Sequence, residues 1–143
     1  MATVRPLSVH VPLDLPEDRL ALLIGSMPVP ALLESGPGFG EAGRWSILTA
    51  RPGLVFQATD HRWRLQSATE DRSGVDPLAA LERLLKRFGL ADPAETPDPA
   101  LGPFQGGLIG FLGYDLAPLI ERLPRKAPRD SRLPDVRLAL YDT

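Results

Sequence analysis

The stretch Pro103-Phe104-Gln105-Gly106-Gly107-Leu108-Ile109-Gly110-Phe111-Leu112-Gly113-Tyr114-Asp115-Leu116 sets four glycines into a segment that is otherwise apolar and strand-like. Glycine weakens a strand interior, because it loses more conformational freedom on folding and offers no side chain to pack. The pattern predicts places where another backbone or a ligand comes close, or where the strand bulges.

On either side of this stretch the chain alternates between strand and turn signals. Trp45 to Ala50, Leu54 to Thr59 and Arg62 to Ser67 read as short strands, with Arg51-Pro52-Gly53 and Asp60-His61 as the turns between them. Downstream, Val136, Leu138 and Leu140 alternate with Arg137, Ala139 and Tyr141, the period of a half-buried strand. The strand Asp135 to Tyr141 has no returning partner before Thr143. It is therefore expected to expose an unpaired edge and to favour self-association.

Two helices are expected. Asp76 is placed to cap the first of them, Pro77 to open it and Gly89 to end it, with Leu78, Leu81, Leu84, Leu85 and Phe88 as its apolar stripe. Glu82 and Lys86 stand four apart in the favourable order, so this helix should lie on a sheet with one face wet. The other runs from Pro16 to Ile24, with Glu17 and Asp18 in its first turn. The fold class that follows is α+β, an antiparallel β-sheet or sandwich with a few packed helices.

At 143 residues and 43% hydrophobic composition, the chain is sized for a single domain, residues 1–143, which buries about 70% of its unfolded surface. The 16 basic and 18 acidic side chains give a formal charge of −2 and no broad positive field, which argues against nucleic acid and anionic membrane as partners. No cysteine is present, which excludes disulfides and thiolate metal sites. The N-terminal residues lack a secretory apolar core and no apolar run approaches a membrane span, so a cytoplasmic location is expected. The proline-rich tracts Ala91 to Pro103 and Pro124 to Pro134 read as solvated connections, and there is no internal repeat.

Few residues suggest chemistry. Gly36-Pro37-Gly38-Phe39-Gly40 looks like a phosphate loop but leads into a strand rather than a helix, so a mobile hairpin loop is the better reading. His10 and His61 belong to no ligand set, and Ser35, Ser46 and Ser67 have no elbow motif or base partner. No catalytic residue and no metal site are expected within the chain. Glu34-Ser35 beside Arg44-Trp45 does combine a carboxylate, a hydroxyl, a cation and an aromatic face, which are the groups an amino acid ligand requires. From the residue types alone, the favoured reading is that Trp45 fills the core and Arg44 lies in water.

The run from Pro103 through Asp115, continued by Leu119-Ile120-Glu121-Arg122-Leu123-Pro124, resembles the N-terminal signature of aminodeoxychorismate synthase component I. Anthranilate synthase component I carries a looser version. Ala31-Leu32-Leu33-Glu34-Ser35-Gly36, followed by Gly43-Arg44-Trp45-Ser46-Ile47-Leu48, is similar to a second segment of that family, in the same order and spacing. The resemblance runs from about Pro30 to Thr143 and includes none of the family's catalytic domain.

It implies a scaffold or regulatory domain of an enzyme that aminates chorismate to 4-amino-4-deoxychorismate for p-aminobenzoate and folate synthesis. The parent would be an enzyme and this segment non-catalytic. The implied partners are a glutamine amidotransferase subunit and the protein's own C-terminal chorismate-binding domain. Mg2+ is implied for that domain, and no cofactor for this segment. The family's tryptophan pocket maps onto Ser35, Arg44 and Trp45, with Glu34, Ala42 and Gly43 adjoining. Ala42 and Gly43 stand where relatives often have larger or polar residues, so backbone contacts are implied there. The N-terminal domain of anthranilate synthase component I and a free-standing amino-acid-binding module are the alternatives.

Overall fold

A computed structural model describes residues 15–36, 38, 40, 43, 45–90, 102–121, 123 and 132–142. In order, the elements are α1 (Glu17–Gly25), β1 (Ala31–Glu34), β2 (Ser46–Thr49), β3 (Leu54–Thr59), β4 (Arg62–Ser67), β5 (Asp71–Val75), α2 (Pro77–Arg87), β6 (Gly107–Leu112), a 3₁₀ turn (Tyr114–Leu116), α3 (Ala117–Ile120) and β7 (Val136–Tyr141). They form an α+β fold with two antiparallel sheets, one of two strands and an open one of five in the order β5-β4-β3-β7-β6. The chain divides into two compact units, one comprising Met1–Pro52, Glu95–Gly107 and Tyr141–Thr143, the other Gly53–Ala94 and Leu108–Leu140.

The second unit holds the large sheet. Leu54, Phe56 and Ala58 alternate along β3 toward one face, where they meet Leu65 of β4, Ala80 and Leu84 of α2, Leu116 and Val136. Phe56 and Val136 are fully buried, each such side chain worth about 1.5–3 kcal/mol of apolar transfer. The helix α2 forms as its ends direct. The Asp76 carboxylate accepts a hydrogen bond from the Ala79 amide at 3.1 Å, Pro77 opens the helix, and Gly89 follows it at φ +69°. Lys86 Nζ meets Glu82 Oε1 at 2.6 Å on the wet side. Phe88 departs from the expected stripe. It lies past the helix end and is exposed, with the Arg87 guanidinium 5.2 Å from its ring centroid.

The expectation for β7 is overturned. This strand is ordered inside the sheet, between β3 and β6, and not at an edge. Both of its faces carry buried residues, Val136 on one and Ala139 and Tyr141 among the rest, so it is not the half-buried strand its alternation predicts. The strand that supplies its second partner is the glycine-rich β6, and the glycines explain how. Gly106, Gly110 and Gly113 run beside Tyr141, Arg137 and Asp135 in turn. At Gly110 a Cβ would stand 1.9 Å from the Arg137 carbonyl oxygen, so only glycine permits this approach. The Gly113 amide donates to the Asp135 carbonyl at 2.6 Å. With both edges of β7 paired, the reason for self-association through this strand is gone.

Asp135 also fastens the β3–β4 turn. Its buried carboxylate accepts from the Asp60 amide at 2.6 Å and its own amide donates to the Ala58 carbonyl at 2.8 Å. Asp60 itself adopts φ 52°, the left-handed conformation that Asp tolerates in tight turns. A strand absent from the sequence reading, β5, pairs antiparallel with β4 and forms one edge of the sheet.

The first unit holds α1, the β1–β2 hairpin and residues 102–107. The Tyr141 hydroxyl donates to the Val29 carbonyl at 2.8 Å, and the Arg51 amide to the Pro28 carbonyl at 2.8 Å. Most of the proline-rich tracts and His10 lie outside the described residues. No helix among the described residues is long and apolar enough to cross a membrane.

Candidate functional site

The hairpin is built from Ala31-Leu32-Leu33-Glu34 and Ser46-Ile47-Leu48-Thr49, paired antiparallel in the register Ala31↔Thr49 to Glu34↔Ser46. Gly36, Gly38 and Gly40 fall between these paired strands, as a hairpin connection requires. Successive strand residues face opposite sides, so Leu32, Glu34 and the cross-strand Ser46 share one face. That face, with Asp18 and Ala21 of α1, bounds a cleft of about 320 Å3.

The cleft has a definite chemistry. Two carboxylates, Asp18 and Glu34, and the Ser46 hydroxyl supply acceptors, while Leu32 and Ala21 supply apolar surface. Acceptors grouped beside an apolar wall suit an ammonium group carried on an apolar body. Deeper in β2, the buried Thr49 hydroxyl has no hydrogen-bond partner among the described residues.

The sequence-derived residues distribute as follows. Glu34 lines the cleft, and Ser46, set aside on sequence grounds, lines it too. Ser35 and Trp45 flank the hairpin loop just beyond the Glu34↔Ser46 pair and are not among the residues that line the cleft. Trp45 is 45% exposed, so it does not fill the core. Its indole lies against Gly102, where a Cβ would come within 3.3 Å of the ring and where φ is +83°. Gly43 is partly buried in the loop, whereas Arg44 and Ala42 lie outside the described residues. Asp18 carries no sequence motif; it reaches the cleft that Glu34 lines from the first turn of α1.

In the second unit, polar residues that could suggest catalysis have structural work. The Ser67 hydroxyl accepts from the amides of Thr69 and Glu70, at 3.2 and 3.0 Å, and closes the β4–β5 turn. His61 is exposed in the β3–β4 turn, beside a shallow cleft that includes Asp60 and Asp115. Among the described residues no group of three or more His, Asp or Glu side chains is arranged to hold a metal ion.

No family model matches the chain. Curated proteins do. It is 36% identical over 120 residues to aminodeoxychorismate synthase component 1 of Salmonella typhimurium, covering 83% of this chain and 26% of that protein. The Escherichia coli protein of the same name is 36% identical over 121 residues. Anthranilate synthase component 1 of Mycobacterium tuberculosis is 33% identical over 120 residues, covering 82% of this chain and 23% of that protein. The chain spans about a quarter of the length of these relatives. By sequence, it is similar to the N-terminal region of proteins named aminodeoxychorismate synthase component 1 and anthranilate synthase component 1.

Proposed function

We propose that residues 1–143 serve as the N-terminal, non-catalytic domain of a cytoplasmic aminodeoxychorismate synthase component 1. The parent enzyme would transfer ammonia, delivered by a glutamine amidotransferase subunit, to chorismate. Its acid-base groups and Mg2+ would lie in a chorismate-binding domain outside this chain. The observation that carries the reading is the 36% identity to proteins named aminodeoxychorismate synthase component 1 across 83% of the chain.

Within that role, Ser35, Arg44 and Trp45, with Glu34 and the backbone at Ala42 and Gly43, would form part of a pocket for tryptophan or a similar amino acid. The acceptors Asp18, Glu34 and Ser46 support the ammonium end of such a ligand. A pocket walled on one side leaves much of its ligand in water, so binding by this chain alone should be weak.

The test uses the full-length protein with chorismate and ammonia. Formation of 4-amino-4-deoxychorismate supports the proposal, and formation of 2-aminobenzoate assigns the anthranilate branch, which the 33% identity to anthranilate synthase component 1 keeps in view. Turnover by the 143-residue chain alone would refute the non-catalytic role. Calorimetry then compares tryptophan binding by the full-length protein and its Ser35→Ala, Trp45→Ala double variant; equal binding would remove the pocket.

A further inference from the structure

The second unit carries a cleft that none of this uses, about 430 Å3 in volume, within the range of small-molecule sites. It opens between α2 and strands β4 and β5. Its floor is the core itself, Phe56, Leu65 and Leu84, and Trp63 forms an apolar side. The Trp63 indole stacks on Phe56, with centroids 6.1 Å apart and planes 22° from parallel. It is held there from two directions. Its Nε1 donates to the Val75 carbonyl at 2.9 Å, and its ring crosses Gly74, where a Cβ would stand 3.0 Å from the indole.

The rim of this cleft is cationic. Arg72 comes from β5, cross-strand from Leu65, while Arg83 and Arg87 stand four apart on α2. Among the described residues, the carboxylate in ion-pair contact with them is Glu70, which takes Arg87 at 2.7 Å and Arg72 at 3.8 Å. The next nearest acids along the chain are already engaged, Asp71 with Arg64 and Glu82 with Lys86. Arg83 has no ion pair among the described residues. Three guanidinium groups against one ion-paired carboxylate leave an excess of positive charge around an apolar-floored hollow.

Guanidinium groups match carboxylates in planar geometry, and they do so most strongly where apolar surface excludes water. We propose that this cleft binds a small organic anion, a carboxylate carried on a flat apolar ring. The carboxylate meets Arg83 and its neighbouring arginines, and the ring rests against Trp63 and Leu84. Charge alone does not account for the arrangement, because a bare anion has no use for the fixed indole. Ring surface alone has no use for the arginines.

The experiment follows the Trp63 Nε1–H and backbone amide resonances of the 143-residue protein during titration with benzoate, benzamide and inorganic phosphate. Benzoate should give saturable shifts at Trp63 and along α2, with benzamide and phosphate both weaker. Arg83→Ala should weaken benzoate binding about tenfold, the loss of one charge-assisted hydrogen bond. Since Arg83 is exposed and makes no ion pair within 4.0 Å among the described residues, this change leaves the fold intact. Arg62→Ala, on β4 but outside the cleft lining, should change nothing. Benzamide or phosphate binding as tightly as benzoate, an unaltered affinity in Arg83→Ala, or the absence of saturable shifts would each overturn the proposal.

Discussion

Replacing Gly110 by alanine should detach the edge strand β6 from β7. The added Cβ would stand 1.9 Å from the Arg137 carbonyl oxygen, 2.8 Å from its carbonyl carbon and 2.9 Å from Leu138 Cα, all inside the 3.0 Å that real Cβ atoms essentially never breach. All three obstructing atoms are backbone, so no rotamer change relieves the contact. The strand β6 must instead move off its neighbour and give up the ladder hydrogen bonds around the substitution. Each is worth about 1 kcal/mol net, and losing two or three gives a destabilisation of about 2–4 kcal/mol. Phe111 and Leu112 are exposed already, so little apolar burial is lost with them and the cost does not climb further. The control is Gly25→Ala at the end of α1, where nothing lies within 4 Å of the new Cβ. There, helix propensity favours alanine by up to about 1 kcal/mol. Urea unfolding followed by far-ultraviolet circular dichroism measures both variants, and amide hydrogen exchange localises the effect to residues 107–112. A Gly110→Ala protein within about 0.5 kcal/mol of wild type, with unchanged protection in β6, would refute the close-approach argument.

Asp135→Ala leaves the Asp60 amide without its carboxylate acceptor in a partly buried turn and should cost about 1–3 kcal/mol, measured by thermal melt; Asp135→Asn, which keeps an acceptor oxygen, should lose less, and an alanine variant as stable as wild type would contradict this role. The hydrogen bond from Arg64 holds the Asp71 carboxyl below its usual range, and that from Lys86 does the same for Glu82. A carboxyl depressed in the folded state stabilises above its unfolded pKa, and that contribution is lost as pH falls through the folded value. Carbon-detected NMR titration should therefore show Asp71 with a depressed midpoint that rises in Arg64→Gln; an Asp71 midpoint that Arg64→Gln leaves unchanged would show that this pair does not act.

What local sequence determined is what local forces decide. The α2 boundaries were legible because Asp76, Pro77 and Gly89 act on the backbone within a turn of themselves, and β3 and β4 run as their turn residues imply. The close approach at the glycine-rich stretch was legible as well, since only glycine tolerates it, and so was its family resemblance. Tertiary structure decided the rest. The strand β5, Asp71-Arg72-Ser73-Gly74-Val75, carries almost no strand signal and exists because β4 offers it a ladder. The place of β7 inside the sheet depended on which strand comes to its second edge, a pairing that no period in Val136–Tyr141 encodes. The candidate sites divide the same way. Glu34 and its neighbours stand in a recognisable motif, but Asp18 joins them only because α1 packs near the hairpin. Arg72, Arg83 and Arg87 gather at one cleft only because an edge strand and a helix cover the same patch of core. Charge is conserved along a sequence whatever the fold; its concentration in space is set by packing between segments that the chain keeps apart.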